Sequence, residues 1–458
     1  MATLPSYWSV WAVTAIVLLA YALFVGLALR HESPEAYIHL GQALVNKSQA
    51  SPAISSRAAS YHYDGQIGFD GQYAYFLAVD PVNARDYMDS PAYRYTRVLY
   101  PLAARLLALG RADLVPWTLI LVNLAMIAAG TAALAAWLRR HGASAWYAAI
   151  YGFYPGVFIT LMRDTTEVMA YGLVAVAVFL FDAGGPHPAL LQSGRKLKNL
   201  PAHSQSGRDL NNLPALPQSG TELNHLPPPL AGGGQGGGII GAAIFFALAI
   251  LARETAAIFA IGYTLALLAA PTPTLPRERG GELRRRLHRN WRRAAVFVAI
   301  WAVPIAAWKV FLRFWLGSFG LDAHIEHVPF LGIASWFPWN AGQVDEVRIV
   351  VIPGVLCGIV AAWAIIRGIR RVETWLLLAN VVILIVLLER PAFNDISSSG
   401  RITIGVVLAA ILCVPYLAGR LRTWIWAAAA LWLIPMLFWF AIPTARGVLS
   451  TVKHQVLG

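Results

Sequence analysis

Uncharged apolar runs recur along the whole chain, and they constrain its fold more than any other feature. The first run, residues 7–29, contains 23 residues without a charge. At about 1.5 Å per residue, a helix of that length crosses a bilayer core about 30 Å thick. Hydrophobic residues make up 58% of the 458 residues and charged residues 13%, whereas soluble domains carry about 25% charged residues. The sequence predicts an all-α polytopic membrane protein and excludes a soluble enzyme, a disordered chain and a disulfide scaffold.

The sequence predicts eleven membrane spans. Two of the boundaries between spans are predicted from charged residues that interrupt long apolar runs. The apolar runs 145–182 and 238–270 would form helices of about 57 Å and 50 Å, too long for single crossings. Arg163-Asp164 and Arg253-Glu254 interrupt them, so each run is divided. If both runs stayed whole, only the 183–237 loop would move to the outside. The predicted spans are residues 7–29, 114–137, 145–161, 167–182, 238–252, 255–270, 294–314, 349–366, 373–389, 402–419 and 423–443.

The distribution of Lys and Arg predicts the orientation. With the N-terminus inside, the loops 138–144, 183–237, 271–293, 367–372 and 420–422 hold 2, 4, 8, 3 and 2 basic residues, whereas the outer loop 315–347 holds none. This is the positive-inside pattern, so the net charge of +13 reflects membrane orientation and not nucleic-acid binding. We predict a multi-pass membrane protein with its first loop (30–113) on the outer face.

A low-complexity segment divides the chain into three parts. Gln-Ser-Gly recurs every 13 residues between 192 and 230, and a Gly-rich run follows. This composition is typical of a flexible insertion. The predicted parts are an N-terminal transmembrane module (1–182), a cytoplasmic insertion (183–237) and a C-terminal transmembrane module (238–458).

The first outer loop contains the most informative polar stretch, in which Asp-Gly-Gln occurs at 64–66 and again at 70–72. A glycine after aspartate lets the backbone turn tightly and project the carboxylate. Asp70 is equally well interpreted as a functional carboxylate or as a helix cap, whereas a structural role is favoured for Asp64 and Asp80.

Two helices of this loop are expected to lie at the membrane interface. Tyr73, Tyr75 and Phe76 begin an aromatic helix of that kind. In the segment 97–110, Arg97 and Arg105 flank apolar residues such as Val98 and Leu102, a pattern that suits a helix lying in the interface plane, although a tail of the next span is an alternative.

Three segments carry a family resemblance: Phe-Asp-Gly-Gln-Tyr-Ala-Tyr at 69–75, Asp-Pro at 80–81 and Tyr-Arg-Tyr-Thr-Arg-Val-Leu-Tyr-Pro-Leu at 93–102. They resemble bacterial integral-membrane glycosyltransferases of the GT-C superfamily. Within it, they are most similar to mannosyltransferase-like proteins related to the enzyme that adds the second mannose to GPI anchors, and to proteins of cell-surface glycopolymer formation. The specific match covers about residues 70–105 and does not include the repeat insertion. The resemblance implies a GT-C-type bundle of about eleven transmembrane helices in a bacterial inner (cytoplasmic) membrane, with the active site facing the periplasm.

The resemblance also implies a reaction. Such enzymes pass a sugar from a polyprenyl-phosphate donor to a glycan or lipid acceptor at the outer face, and an acid of the first outer loop serves as the base. That role falls on Asp70, which would accept the proton of the acceptor hydroxyl during an inverting displacement. Asp164 is a second acid that would orient the acceptor or hold a divalent cation. Metal dependence stays open, and membrane lipids are the other expected partners.

The leaving phosphate needs cations, and the polar residues near the predicted outer edge are candidates for binding it. Glu167 has a helix-capping alternative, Arg253 with Glu254 an ion-pair alternative, and Arg401 an interfacial snorkelling alternative. The expected substrate or carrier-phosphate residues are Gln72, Tyr73, Arg94, Arg97, Arg163, Glu167, Arg253, Glu254 and Arg401.

Two other functions remain open. A flippase or transporter of polyprenyl-linked glycans would place charges near mid-membrane and contain an inverted repeat, and neither is evident in the sequence. A non-catalytic partner in envelope polysaccharide assembly would not need Asp70.

Overall fold

The computed structural model describes residues 7–48, 51–55, 57, 61, 63–183, 237–269, 280–321, 325–417 and 419–436. These residues form helices and no β-strand, apart from one isolated bridge between Leu40 and Tyr63, so the all-α prediction is confirmed for them. The predicted insertion 183–237 lies almost wholly outside the described residues. The helices are α1 (Trp8–Ala28), α2 (Gln42–Ser48), α3 (Pro52–Ser55), α4 (Gly71–Val79), α5 (Pro91–Tyr95), α6 (Leu99–Leu107), α7 (Val115–Arg140), α8 (Ala148–Gly152), α9 (Pro155–Met162), α10 (Glu167–Ala183), α11 (Gly237–Ala252), α12 (Ala257–Ala269), α13 (Gly280–Leu316), α14 (Leu331–Ala334), α15 (Ala341–Glu346), α16 (Ile352–Ile366), α17 (Val372–Val381), α18 (Ile396–Ile402), α19 (Ile404–Cys413) and α20 (Arg420–Met436).

Several helices are long and apolar enough to cross a membrane, as expected for a multi-pass membrane protein. Helices α8 and α9 bend by 47° and add a sixth stretch if they count as one span. Four apolar helices are shorter, so the predicted number of eleven spans is not confirmed in the described part of the chain. The five long stretches are Trp8–Ala28, Val115–Arg140, Asn290–Leu316, Ala341–Ile366 and Ile396–Tyr416.

Both breaks predicted from interrupting charges are present. Helix α9 ends at Met162 and α10 begins at Glu167. Helix α11 ends at Ala252, and Arg253 is extended before a 3-10 turn over Glu254–Ala256. A further break inside the predicted span 145–161 was not expected. It occurs where α9 begins with Pro155, because proline lacks the amide proton and disfavours a helical residue before it.

The helices differ in how deeply they lie within the bundle. Of the apolar window in 396–416, 83% is buried, against 11% in 290–316. Helix α10 packs against α7 and α11, and α18 packs against α9. The stretch that carries Arg401 is therefore central, and α13 lies at the periphery.

The loop between α1 and α7 folds into short helices that pack onto the bundle. Helix α4 contacts both α6 and α7, and Tyr75 and Phe76 within it are fully buried. These two rings fill the core between loop and bundle and do not face outward as an interfacial belt would, whereas the position of the helix relative to a membrane stays a prediction. Helix α6 is shorter than predicted and exposes Leu106 and Leu107, as an amphipathic helix does.

Basic residues gather at the end of the bundle away from this loop. The Nε of Arg140 and the Nε2 of His141 each lie 3.4 Å from carboxylate oxygens of Asp182. The guanidinium of Arg371 lies 5.3 Å from the ring centroid of Tyr416, which also contacts the His141 ring. The ends of α7, α10 and α19 and the start of α17 thus meet here, opposite the loop.

Candidate functional site

A charged cleft of about 360 Å³, including its open mouth, lies where the first loop meets the bundle. Segments far apart in sequence form its walls: the loop, the α9–α10 junction, the residue after α11, and α18. Four arginines and two carboxylates line it, so its walls carry a surplus of two positive charges. The lining residues are Asp70, Tyr73, Ala74, Leu77, Arg94, Arg97, Thr165, Thr166, Glu167, Arg253 and Arg401.

Asp70 lies at the mouth of the cleft, held by two arginines. Its Oδ1 is 3.1 Å from a guanidinium nitrogen of Arg94, and its Oδ2 is 3.0 Å from one of Arg401. The side chain is still 41% exposed. Although Asp70 precedes α4, its side chain makes no capping hydrogen bond, so the structure does not support the helix-cap interpretation.

The arginines determine the protonation of Asp70. Burial alone would raise the pKa of this carboxyl, but Arg401, Arg94 and Arg97 together outweigh burial and hold the pKa well below its usual range. Asp70 is therefore ionised at neutral pH while these ion pairs persist.

Glu167 is the second carboxylate of the cleft and its most buried charge, with a side-chain exposure of 1%. Its Oε1 accepts from Arg253 and lies 3.3 Å from Arg401. Arg401 thus bridges Asp70 and Glu167, which come from different parts of the chain. Glu167 is also the first residue of α10, where a negative charge is favourable. The predicted capping and binding roles are compatible.

Aromatic rings and outer carboxylates hold the two loop arginines in place. Arg94 lies 3.7 Å from the ring centroid of Tyr73 and donates to both oxygens of Asp89, at 3.0 and 2.9 Å. Arg97 lies over the Tyr93 ring, and its Nε is 3.2 Å from Glu254 Oε2. The predicted Glu254 therefore supports Arg97 from behind the cleft instead of lining it.

Arg163 and Asp164 stand beside the cleft but do not line it. The Arg163 guanidinium stacks 3.7 Å from the ring centroid of Phe69 and donates to the Ser397 hydroxyl. Asp164 is fully buried, and its Oδ1 lies 3.4 Å from the Tyr100 hydroxyl. Burial raises the pKa of Asp164 well above its usual range, although Tyr100 opposes the shift. A neutral, enclosed carboxyl is poorly suited to the predicted cation-binding role.

Gln72 is engaged by the loop backbone, away from the cleft. Its Oε1 accepts from the Gly41 amide at 2.9 Å, and its Nε2 donates to the Ile67 carbonyl at 2.8 Å. With both polar groups paired in this way, Gln72 fixes the turn before Asp70 and is not among the residues that line the cleft.

The two Asp-Gly-Gln copies use their glycines differently. Gly65 has a φ of +69°, the tight turn that the sequence predicts. Gly71 is helical, and a Cβ there would lie 2.1 Å from the Arg163 carbonyl oxygen. Gly156 likewise lets α9 approach the carbonyl of Gly400, next to Arg401. Close backbone approach therefore brings Asp70, Arg163 and Arg401 together.

We expect Gly71→Ala to lower the free energy of unfolding of the detergent-solubilised protein by about 1–3 kcal/mol, and its melting temperature with it. The added Cβ would meet the Arg163 backbone, which cannot move aside as a flexible side chain can. The matched control is Gly26→Ala in α1, where an added Cβ meets nothing within 4 Å. That variant should melt at or slightly above the wild-type temperature. Equal melting temperatures for Gly71→Ala and Gly26→Ala would contradict the close contact.

The two acids expected to be structural do have structural partners. Asp64 Oδ2 lies 2.8 Å from His39 Nδ1, and the other ring nitrogen of His39 reaches the Met162 carbonyl. Asp80 accepts from the Ser51 hydroxyl and the Asn83 side chain after the end of α4.

A divalent cation has no dedicated ligand cluster among the residues the structure describes. No group of three or more His, Cys, Asp or Glu side chains is found in them. Asp70 and Glu167, the two carboxylates that line the cleft, both have arginine partners.

The cleft also uses residues that sequence reasoning did not select. Thr165 and Thr166 lie on its wall, next to residues already chosen. Asp89 orients Arg94 from five residues away in sequence, a spacing that carries no recognisable signal. Comparison with known proteins adds nothing further, since no family model, no curated protein and no solved structure matches this chain.

Proposed function

We propose that this protein is a membrane glycosyltransferase that moves a sugar, mannose or a similar hexose or pentose, from a polyprenyl-phosphate carrier to a hydroxyl of a glycan, lipid or glycopolymer acceptor. One observation carries the proposal. Four arginines and two carboxylates, one of them the ionised and partly exposed Asp70, converge in one cleft at the end of a bundle of apolar helices. A polyprenyl-phosphate sugar requires both features, because its tail needs an apolar environment and its phosphate needs cations.

The reaction is an inverting displacement at the anomeric carbon. The acceptor oxygen forms the new bond to this carbon while the bond to the phosphate oxygen breaks, and the electron pair leaves with the phosphate. The acceptor proton passes to Asp70. The carrier begins as a singly charged diester and leaves as a doubly charged monoester, so Arg94 and Arg401 stabilise charge that develops during the reaction.

Because Asp70 is paired with arginines, binding of the donor phosphate also changes the basicity of Asp70. A carboxylate paired with two arginines is a weak base, because they stabilise its charged form. A phosphate that shares Arg94 and Arg401 weakens these pairs and strengthens the base. Donor binding and activation of Asp70 are thereby linked.

The proposed location is a bacterial inner membrane, with the cleft facing the periplasm. The basic residues Arg140 and Arg371 lie at the opposite end of the bundle. In bacterial membrane proteins such residues favour the cytoplasmic side.

The direct test incubates the purified protein in nanodiscs with undecaprenyl phosphates carrying different sugars, together with a mixed glycan and lipid acceptor fraction. Release of undecaprenyl phosphate and a glycosylated product supports the proposal. If intact donor crosses the membrane of proteoliposomes that contain the protein and no undecaprenyl phosphate is released, the result would favour a flippase. No binding of any donor by the folded protein would favour a non-catalytic assembly partner.

The low pKa of Asp70 leads to a pH prediction for this reaction. A base with a lowered pKa stays ionised above that pKa and is lost only when the pH falls through it. The profile of kcat/KM, which reports the free protein, should therefore show no acid limb from Asp70 above about pH 4.

The pH profile of kcat, which reports the donor complex, should have its acid limb at a higher pH than the profile of kcat/KM. The reason is that bound phosphate occupies Arg94 and Arg401, the two arginines that lower the pKa of Asp70. Arg94→Gln should move the limb of kcat/KM upward by removing one of them. An Asp70-dependent limb near pH 6 in kcat/KM of the wild type would contradict this assignment.

A further inference from the structure

Exposure falls steeply from one end of the cleft to the other. The side chains of Asp70 and Arg94 at the mouth are 41% and 15% exposed. Those of Arg253, Arg401 and Glu167 at the deep end are 8%, 6% and 1% exposed. The two ends therefore offer different environments to a ligand.

The deep end also contains buried polar atoms without a partner. They are Glu167 Oε2, Thr165 Oγ1 and Arg253 Nε, and all three residues line the cleft. The Thr165 hydroxyl lies close enough to the Glu167 carboxylate to interact with it electrostatically. Neither Thr165 Oγ1 nor Glu167 Oε2, however, has a partner at hydrogen-bonding distance and angle. More than 90% of buried polar groups in proteins are paired, and an unpaired one costs about 1–3 kcal/mol.

The hydrogen-bonding capacity of these three atoms distinguishes a phosphate ligand from a sugar ligand. Arg253 Nε donates, a carboxylate oxygen only accepts, and a threonine hydroxyl does both. A phosphate group has acceptors for Arg253 but repels Glu167 Oε2. Sugar hydroxyls match both kinds of atom, since a hydroxyl can donate to a carboxylate and accept from a guanidinium.

The position of Glu167 Oε2 is also fixed. The other oxygen of this carboxylate is held by Arg253 and Arg401, which come from two separate elements. A carboxylate anchored in this way keeps its second oxygen in a defined position without needing a ligand to order it.

We infer that Thr165, Glu167 and Arg253 form a subsite for a polyhydroxylated ring at the deep end of the cleft. The anion subsite is distinct from it and consists of Asp70 and Arg94 at the mouth, with Arg401 reaching them from the deep end. This inference rests on the proposed function in that the ring is then the donor sugar. The deep subsite thus determines sugar specificity, and the mouth binds the phosphate that every donor shares.

The test compares binding of undecaprenyl phosphate with binding of the same carrier bearing mannose, glucose or galactose, measured by the thermal shift of the protein in nanodiscs. The wild type should bind at least one sugar-bearing carrier about tenfold more tightly than undecaprenyl phosphate. Thr165→Val, which keeps shape and charge, should reduce this preference to about threefold or less and leave undecaprenyl phosphate binding within about twofold. Arg94→Gln should weaken both ligands equally.

The matched control is Thr160→Val in α9, because the Thr160 hydroxyl is buried but already bonded to the Gly156 carbonyl. It should keep the wild-type preference. Glu167→Gln serves as a second variant if its melting temperature shows that it folds, and it should also lose the preference. A wild type that binds the bare carrier and every sugar-bearing carrier equally, or a Thr165→Val that discriminates as the wild type does, overturns the subsite. Failure to bind even undecaprenyl phosphate overturns the proposed function itself.

Discussion

Replacing Asp70 by Asn should lower the rate of sugar transfer by about 10²–10⁴-fold and leave the protein folded. The loss follows from the proposed role, because an amide cannot accept the proton of the acceptor hydroxyl. Folding should survive because both arginine partners keep another carboxylate: Arg94 still pairs with Asp89, and Arg401 with Glu167. The measurement is single-turnover release of undecaprenyl phosphate, with melting temperature and donor binding recorded on the same sample.

Asp89→Asn is the matched control for this experiment. Asp89 contacts the same guanidinium, with 2.9 Å between Arg94 Nη2 and Asp89 Oδ2, but it does not line the cleft. Its loss should disturb the orientation of Arg94 and reduce the rate by no more than about tenfold, as expected for a half-exposed ion pair. Equal effects of the two substitutions would mean that Asp70 only positions Arg94.

Arg401→Gln should raise the KM for the donor by about 30-fold or more. This guanidinium is 6% exposed and contacts Asp70 and Glu167 at 3.0 and 3.3 Å. The interaction that sets KM is the proposed contact between Arg401 and the donor phosphate, whereas the two internal ion pairs affect folding. Truncating one partner of a buried charge pair across a binding interface costs about 2–5 kcal/mol, and the open mouth beside Asp70 places the expected loss toward the lower end. Arg401→Lys should lie in between, because one ammonium cannot present the fork that bridges two carboxylates.

The control for Arg401 is Arg111→Gln. Arg111 also forms an ion pair, with Asp113, but its side chain is 64% exposed and lies outside the cleft. Its substitution should change neither KM nor melting temperature measurably. An Arg401→Gln variant with a donor KM within twofold of wild type would exclude Arg401 from phosphate binding.

The helical class of the fold could be predicted from sequence because apolar runs report their environment directly. The breaks at 163–166 and at Arg253 were also predictable, since a charged pair interrupts each run. The predicted count of eleven spans is not confirmed. The length of an apolar run alone does not reveal where a helix bends or ends. Pro155 bends one predicted span, and four other apolar helices are shorter than a crossing over the residues that the structure describes.

Much of the cleft could be anticipated residue by residue. Of the predicted site residues, seven line it: Asp70, Tyr73, Arg94, Arg97, Glu167, Arg253 and Arg401. Charged residues in or beside apolar runs are costly, so such positions tend to carry a function. What the sequence could not provide was the pairing, for example that Arg401 bridges Asp70 and Glu167.

The sequence interpretations that did not hold share a physical cause. The Tyr75 and Phe76 rings suit a membrane interface and a buried core equally well, and only tertiary packing decides between them. Gln72 belongs to the same motif as Asp70, but backbone groups of the loop satisfy its amide. Position within a motif therefore did not distinguish a ligand contact from a residue that holds the loop.

Helices α10 and α11 form a hairpin whose two free ends lie far from the cleft. Helix α10 begins at the cleft with Glu167, and α11 ends there next to Arg253. Over 17 and 16 residues, each helix rises about 25 Å before it reaches Ala183 or Gly237. Everything that the chain inserts between those two residues is attached one helix length away from the chemistry. Repeats can expand or contract there during evolution, or a fluorescent reporter can be fused there, while the distance between Glu167 and Arg253 stays the same.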